Sequence, residues 1–252
     1  MTRALGRSPS RRDVRNLRLA RYLAPNVVPA PPLARDWTHG AQAPRWGMWR
    51  NDVIGCCTCA AIAHSFQAAS ALTGRALQLV DGDVVGLYMA ASGYDPKRPE
   101  TDQGAQMLDV LRVMRGRGMA GIKIGAFVTV DLSSKIEMET AINLTGSLYL
   151  GLDLPKAWQT QTTWDVAPPG KRSADYDRNS WGGHAVSALG YDRLGVTAIT
   201  WGTPKLITWE AVRSYAGEAW AYIDDLWLRD DKLTPSGFNA DLLARDLAAI
   251  AG

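Results

Sequence analysis

The sequence predicts an α+β protein in which a helical half precedes a β-rich half. Residues from Cys57 to Leu72 are small or apolar nearly all round and stop at Thr73-Gly74, as in a buried helix followed by glycine. After Gly121, apolar residues instead alternate with a period of two, which is typical of strands. With 252 residues, of which 46% are hydrophobic and 21% charged, the chain can bury a core without a disulfide or metal.

Two further helices are expected in the first half. One spans about residues 84–92 with Asp83 as its N-cap. The other spans about residues 103–115, where three apolar side chains keep the i, i+4, i+7 spacing of one helix face. These helices define an expected helical lobe over residues 33–120.

The second half is predicted to hold one short helix and five strands. A capping box at Ser134-Lys-Ile-Glu137 opens the helix, which ends near Leu144. The loop over residues 155–181 is too long for a simple connection, and such loops are often functional. We expect this β-rich lobe to cover residues 121–228. The predicted strands are 122–130, 148–154, 184–191, 196–201 and 218–223.

The two ends of the chain differ from this body. Residues 1–24, the Arg-rich arm, hold seven arginines against the single acid Asp13. A proline-interrupted link completes the segment 1–32, and a tail at 229–252 is predicted to carry a short amphipathic helix. Beyond the arm, 21 basic and 24 acidic residues remain, so the body is mildly acidic.

The Arg-rich arm predicts a partner. Phosphate, an acidic protein surface or anionic lipid would all attract it. The body's small excess of acids is too dispersed to bind seven arginines, so we expect the arm to bind a neighbouring subunit or another protein. Nucleic acid is disfavoured because no aromatic interleaving or known motif accompanies the arginines. No run approaches the roughly 18 apolar residues of a membrane span.

The three cysteines, Cys56, Cys57 and Cys59, lie in one short cluster. Adjacent cysteines make a poor disulfide framework, so we expect reduced thiols and a cytoplasmic location. A zinc site is disfavoured because no second cysteine cluster exists and His64 is the only imidazole nearby. We expect no metal and no organic cofactor.

Cys57 and His184 are the candidate catalytic residues. Only a thiolate attacks, and the positive end of the helix that begins near Cys57, helped by an imidazolium, would favour it. The alternatives are that Cys57 is a small buried hydrophobic residue and that His184 is a hydrogen-bonded core histidine. Cys56 and Cys59 are expected to be packing residues.

Asp36-Trp37, followed by Asn51-Asp-Val-Ile-Gly-Cys-Cys57-Thr-Cys-Ala, resembles the start of the papain-like cysteine peptidases. Gly183-His184-Ala-Val is similar to that family's histidine strand, and Trp201-Gly-Thr to the end of its asparagine strand. The resemblance covers about residues 30–225. It implies two lobes facing across a cleft, with Cys57 as nucleophile, His184 as base and Asn51 in place of the glutamine that donates to the oxyanion.

One departure from the family concerns the group that orients the histidine. The family's Asn-Ser-Trp-Gly reads Ile199-Thr200-Trp201-Gly202 here, so Thr200 or a backbone carbonyl would have to orient His184.

Two functions follow from the resemblance. The first is a thiol hydrolase, a cysteine peptidase or amidase acting on peptide or protein substrates. The second is an inactive structural or interaction protein, for example a phage virion component anchored by the arm, because the chain is also similar to bacterial and bacteriophage proteins with Gly-x-Cys-Thr and Trp-Gly-Gly-His segments.

Overall fold

The computed structural model describes residues 3–11, 13, 16–21, 30–38 and 45–227. Its α-helices are Cys57–Thr73 (α1), Asp81–Ser92 (α2), Met107–Gly116 (α3), Lys135–Thr145 (α4) and Trp209–Tyr215 (α5). Its strands are Arg35–Asp36 (β1), Ile124–Thr129 (β2), Leu148–Leu154 (β3), Gly182–Tyr191 (β4), Gly195–Thr200 (β5), Thr203–Thr208 (β6) and Ala216–Asp224 (β7). The predicted α+β class is confirmed.

Helices α1, α2 and α3 pack against one another. Helix α1 is buried along its first thirteen positions with few exceptions, and it ends where Gly74 adopts a left-handed conformation with φ 70°. Helix α2 begins at Asp81, and the Asp83 carboxylate accepts the Val80 amide at 2.9 Å, so Asp83 caps from inside the helix. Helix α3 begins at Met107, later than predicted, because the residues before it form a short 3-10 turn and a loop.

The strands form one antiparallel sheet with the order β2-β7-β3-β4-β5-β6, and β1 pairs with the other edge of β4. The predicted capping box is present at α4, where the Ser134 hydroxyl accepts the Glu137 amide at 3.2 Å. Strand β6 and helix α5 were not predicted, since Pro204 and a short polar run disguise the strand pattern. The tail at 229–252 lies outside the described residues.

Helix α1, which begins at Cys57, packs against strand β4, which carries His184. Strand β4 lies between β3 and β5, and its register places His184 opposite Leu152 and Gly183 opposite Asp153. None of the described helices combines the length and apolar character needed to span a membrane.

Candidate functional site

Cys57 is the first residue of α1 and is fully buried. The loop before it is tied to the helical lobe by Asp102, whose carboxylate accepts the Gly55 amide at 3.0 and 3.1 Å. The Tyr88 hydroxyl donates to the same carboxylate at 2.6 Å and accepts the Gly104 amide at 2.9 Å. These bonds fix the backbone just ahead of the thiol.

His184 lies on β4 and is also fully buried. Its Nε2 is 2.8 Å from the Thr200 Oγ1, so the hydroxyl occupies the orienting position for which the sequence offered two candidates. The Trp201 ring stacks on the imidazole with centroids 4.2 Å apart and an interplanar angle of 15°. Trp201 and Gly202, with φ 45° and 70°, form the tight turn from β5 to β6. This turn places the Thr200 and Trp201 side chains against His184.

The Cys57 thiol lies close to backbone amides, one of which belongs to the histidine strand β4. The amides of Ala185 and Gly6 both face the Cys57 sulfur. Ala185 directly follows His184, whose Nδ1 is buried and has no hydrogen-bond partner. The Cys57 thiol thus lies against the backbone of the histidine strand without a hydrogen bond to the His184 Nδ1. The expected separation of about 4 Å between the sulfur and the ring stays a prediction.

Asn51 is only 2% exposed, and its backbone amide donates to the Met48 carbonyl at 2.9 Å. Its side-chain Oδ1 is buried without a hydrogen-bond partner. A buried amide oxygen without a partner is uncommon in a folded protein. That the Asn51 amide nitrogen is aimed at the Cys57 sulfur stays a prediction.

Burial keeps both candidate catalytic groups neutral in this structure. It raises the pKa of Cys57 to about 11, and the nearby amides and the Arg7 charge only partly offset it. It lowers the pKa of His184 to about 3, and the positive charges of Arg7 and Arg3 lower this pKa further. A thiolate–imidazolium pair is therefore disfavoured while the cleft remains covered.

The cover is the Arg-rich arm itself. The Gly6 carbonyl accepts the Ala105 amide at 2.8 Å, and the Ser8 amide donates to the Ala105 carbonyl at 3.0 Å. On the opposite side, the Arg7 amide donates to the Gly183 carbonyl at 3.1 Å. Residues 6–8 therefore connect the segment at Ala105 to strand β4, and the Gly6 backbone lies close to the Cys57 thiol.

The arm fits the cleft closely. A Cβ at Gly6 would lie 1.7 Å from the Gly55 carbonyl oxygen, so the arm seats there only with glycine. A Cβ at Gly183 would lie 2.2 Å from the Arg7 carbonyl oxygen. The Arg3 guanidinium lies over the Trp201 ring at 4.7 Å, so the arm also covers the residue that shields His184.

The expectation that the arm binds an external partner stays a prediction, but two of its described arginines pair with acids of this same chain. Arg7 forms ion pairs with Asp153 and Glu218, Arg11 pairs with Asp109 at 2.6 Å, and Asp13 accepts from Arg112. The acids of the body are dispersed along the sequence. Folding instead gathers acids from separate strands beneath the arm, and nothing in the sequence singled out this cluster.

The remaining candidates have structural surroundings. Cys56 and Cys59 are buried and unbridged like Cys57, and the Cys56 thiol donates to the Trp49 carbonyl at 3.5 Å. His64 binds the Gly47 carbonyl at 2.9 Å, and burial lowers its pKa to about 4. In the described part of the chain no cluster of three His, Cys, Asp or Glu side chains forms that could hold a metal ion.

Solved structures with the same architecture are papain-like cysteine proteases. Xylellain, a cysteine protease from Xylella fastidiosa, superposes with a TM-score of 0.65 at 15% identity, covering 88% of this chain and 96% of that one. The Carica candamarcensis protease CMS1MS2, in complex with E-64, gives 0.53 at 15% identity over 76% and 98%. The protease and lectin-like domains of Cwp84 from Clostridium difficile give 0.59 at 12% identity over 88% and 56%.

No family model matches this sequence, and no curated protein does. The resemblance to the solved structures therefore shows the fold: the chain has the papain-like α+β fold, as the sequence predicted.

Proposed function

We propose that this chain, with its papain-like fold, is a thiol hydrolase that cleaves amide bonds in peptides or proteins. The observation that carries the proposal is the position of the Cys57 sulfur. It lies at the start of α1 and against the amide that follows His184, whose Nδ1 is left free for a proton.

The chemistry assigns one role to each residue. The Cys57 thiolate attacks the carbonyl carbon, and the oxyanion is held by the Cys57 amide and the Asn51 side chain. His184, oriented by Thr200, gives its proton to the leaving amine, so that a thioester remains. Water then attacks the thioester, His184 takes the proton from the water, and the acid and the free thiol are released.

The observed state is the latent one. The arm excludes water and substrate from the cleft, and the neutral thiol and imidazole that it covers are poor reactants. Activity therefore requires residues 6–8 to leave, which returns water to the pair and favours its charged form.

The second candidate is an inactive scaffold that keeps the fold for protein interaction. Two observations favour it. The residue bonded to the His184 Nε2 is Thr200 and not an asparagine as in the family, and no hydrogen bond joins the Cys57 sulfur to the His184 Nδ1. A virion or other assembly role for the arm belongs to this candidate.

Covalent labelling separates the two candidates. The full-length Gly6→Ala variant, whose added methyl group cannot seat against Gly55, is treated with an epoxysuccinyl inhibitor and the modified residue is located by mass spectrometry. We expect the label on Cys57 and none on Cys56 or Cys59. Gly86→Ala is the matched control, because a Cβ there meets nothing within 4 Å.

Absence of label on Cys57 in the folded Gly6→Ala variant would contradict the hydrolase and favour the scaffold.

A further inference from the structure

The side chain of Arg7 fills a pocket beside the candidate catalytic pair. Its exposed fraction is 3%. Its Nη1 donates to the Glu218 carboxylate at 3.0 Å, its Nη2 pairs with Asp153, and its Nε donates to the Leu152 carbonyl at 3.4 Å. All three nitrogens of the guanidinium are thus satisfied by residues of β3 and β7.

Two glycines, Gly151 and Gly217, leave the space that the aliphatic part and the guanidinium of Arg7 occupy. A Cβ at Gly151 would lie 2.9 Å from the Arg7 Cδ. A Cβ at Gly217 would lie 3.7 Å from the Arg7 Nη2. These glycines stand in two paired strands and leave a channel whose end is lined by the carboxylates of Asp153 and Glu218.

Both carboxylates are held from behind by other donors. Arg178 donates to Asp153 at 2.7 Å, and the Trp220 indole donates to Glu218 at 3.0 Å. The acids therefore do not depend on Arg7 for their orientation. Burial raises the pKa of Glu218, because its charged form is poorly solvated there. A cation bound in the pocket stabilises the charged carboxylate, so an empty pocket favours the binding of one.

The pocket also has a fixed place relative to the thiol. Gly6 faces the Cys57 sulfur, and Arg7, the next residue, bonds through its amide to Gly183, which precedes His184. In the bound arm, the residue whose side chain fills the pocket is therefore the direct neighbour of the residue that contacts the Cys57 sulfur.

We propose that the pocket formed by Asp153 and Glu218 is a specificity subsite that takes the arginine side chain of a substrate peptide once the arm has left. The substrate class is then peptides with arginine within two residues of the cleaved bond. A lysine ammonium, as a single point charge, cannot reproduce the planar contacts to two carboxylates and a carbonyl. The cleavage part rests on the proposed function, whereas the binding part does not.

Binding is measured without turnover on the full-length Gly6→Ala/Cys57→Ala variant. The probe is a fluorescent peptide with the sequence of residues 4–9, compared with versions that carry citrulline or lysine at the arginine. We expect the arginine peptide to bind at least about tenfold more tightly than the citrulline peptide, since a buried charge pair is lost. Adding Glu218→Gln should remove this difference, whereas Asp109→Asn, at the exposed partner of Arg11, should preserve it.

Equal binding of the arginine and citrulline peptides, or a preference that survives both Glu218→Gln and Asp153→Asn, would overturn the subsite. If Gly6→Ala does not fold, Arg7→Ala empties the pocket with the arm backbone in place. Ethylguanidinium at millimolar concentration should then raise its melting temperature while neutral ethylurea does not, and equal effects of the two would also overturn it.

Cleavage is scored separately, with Gly6→Ala that retains Cys57 and a random peptide pool analysed by mass spectrometry. Arginine should be enriched at one position within two residues of the cleaved bond. Cleavage without that enrichment overturns the subsite and leaves the hydrolase standing. Arginine-dependent binding without any cleavage leaves the subsite standing and contradicts the hydrolase.

Discussion

The Arg7 pocket and the Cys57–His184 pair lie side by side under the same segment, yet burial acts on them in opposite ways. In the pocket, a guanidinium meets two carboxylates, so the charges persist away from water. In the pair, burial raises the pKa of Cys57, and the Arg7 charge only partly offsets that rise. Burial lowers the pKa of His184, and the same Arg7 charge lowers it further, so both groups are neutral. The arm is therefore held in place by buried charge pairs, whereas the burial of Cys57 and His184 favours their neutral forms.

The largest effect is expected from removing the anchor. Arg7→Ala leaves the buried Glu218 without its cation and should lower the free energy of unfolding by about 3–5 kcal/mol. Arg11→Ala, which removes a half-exposed pair, should cost at most about 1 kcal/mol. Urea denaturation of both variants measures the difference, and equal losses would show that the pocket is not a special anchor.

The Arg7→Ala loss should also depend on pH. Burial already raises the pKa of Glu218, and removing the cation raises it further. Because protonation abolishes the unpaired charge, the loss should shrink as the pH falls through that raised pKa. A loss that is constant between pH 4 and 8 would mean that the cavity, and not the charge, causes it.

A second effect concerns the reactivity of the thiol. With the arm displaced, Gly6→Ala should react with an epoxysuccinyl inhibitor at neutral pH faster than the wild type by about 10² or more, since the pKa of Cys57 returns toward that of an exposed thiol. The wild-type rate should climb with pH toward the raised pKa of about 11, whereas the Gly6→Ala rate should level off lower. Parallel profiles would show that the arm does not control ionisation.

The oxyanion role of Asn51 should produce an effect of similar or smaller size. Asn51→Ala in the Gly6→Ala background should lower the acylation rate by about 10² with folding intact. Asn51→Gln keeps the amide and should retain most of the rate. An unchanged rate in Asn51→Ala would show that backbone amides alone hold the oxyanion.

The smallest effect is expected at Thr200, which acts through His184. Thr200→Val removes one hydrogen bond to Nε2 and should lower kcat about fivefold with KM unchanged. Thr200→Ser keeps the hydroxyl and should restore the rate. If Thr200→Ser does not restore the rate, the effect of Thr200→Val comes from side-chain packing and not from the lost hydroxyl.

Much of the fold and part of the site could be predicted from local pattern. The apolar run of α1, the capping box of α4 and the alternation in β3 and β4 each satisfy a rule that acts over a few residues. Cys57 at a helix start, and His184 on a strand beside two glycines, follow from the same local rules. Strand β6 and helix α5 were not predicted, because both are short and neither shows a clear alternation or helical spacing of apolar residues.

Local sequence patterns were therefore enough to predict the α+β class and to single out Cys57 and His184 as candidates. The position of the arm and the partners of Arg7 depend instead on contacts between distant parts of the chain. Asp153 is 146 residues from Arg7 in the chain, and Glu218 is 211 residues away. The two acids become one pocket because β3 and β7 are neighbours in the sheet. No local rule encodes a pairing over such distances, since it depends on how all the intervening strands are ordered.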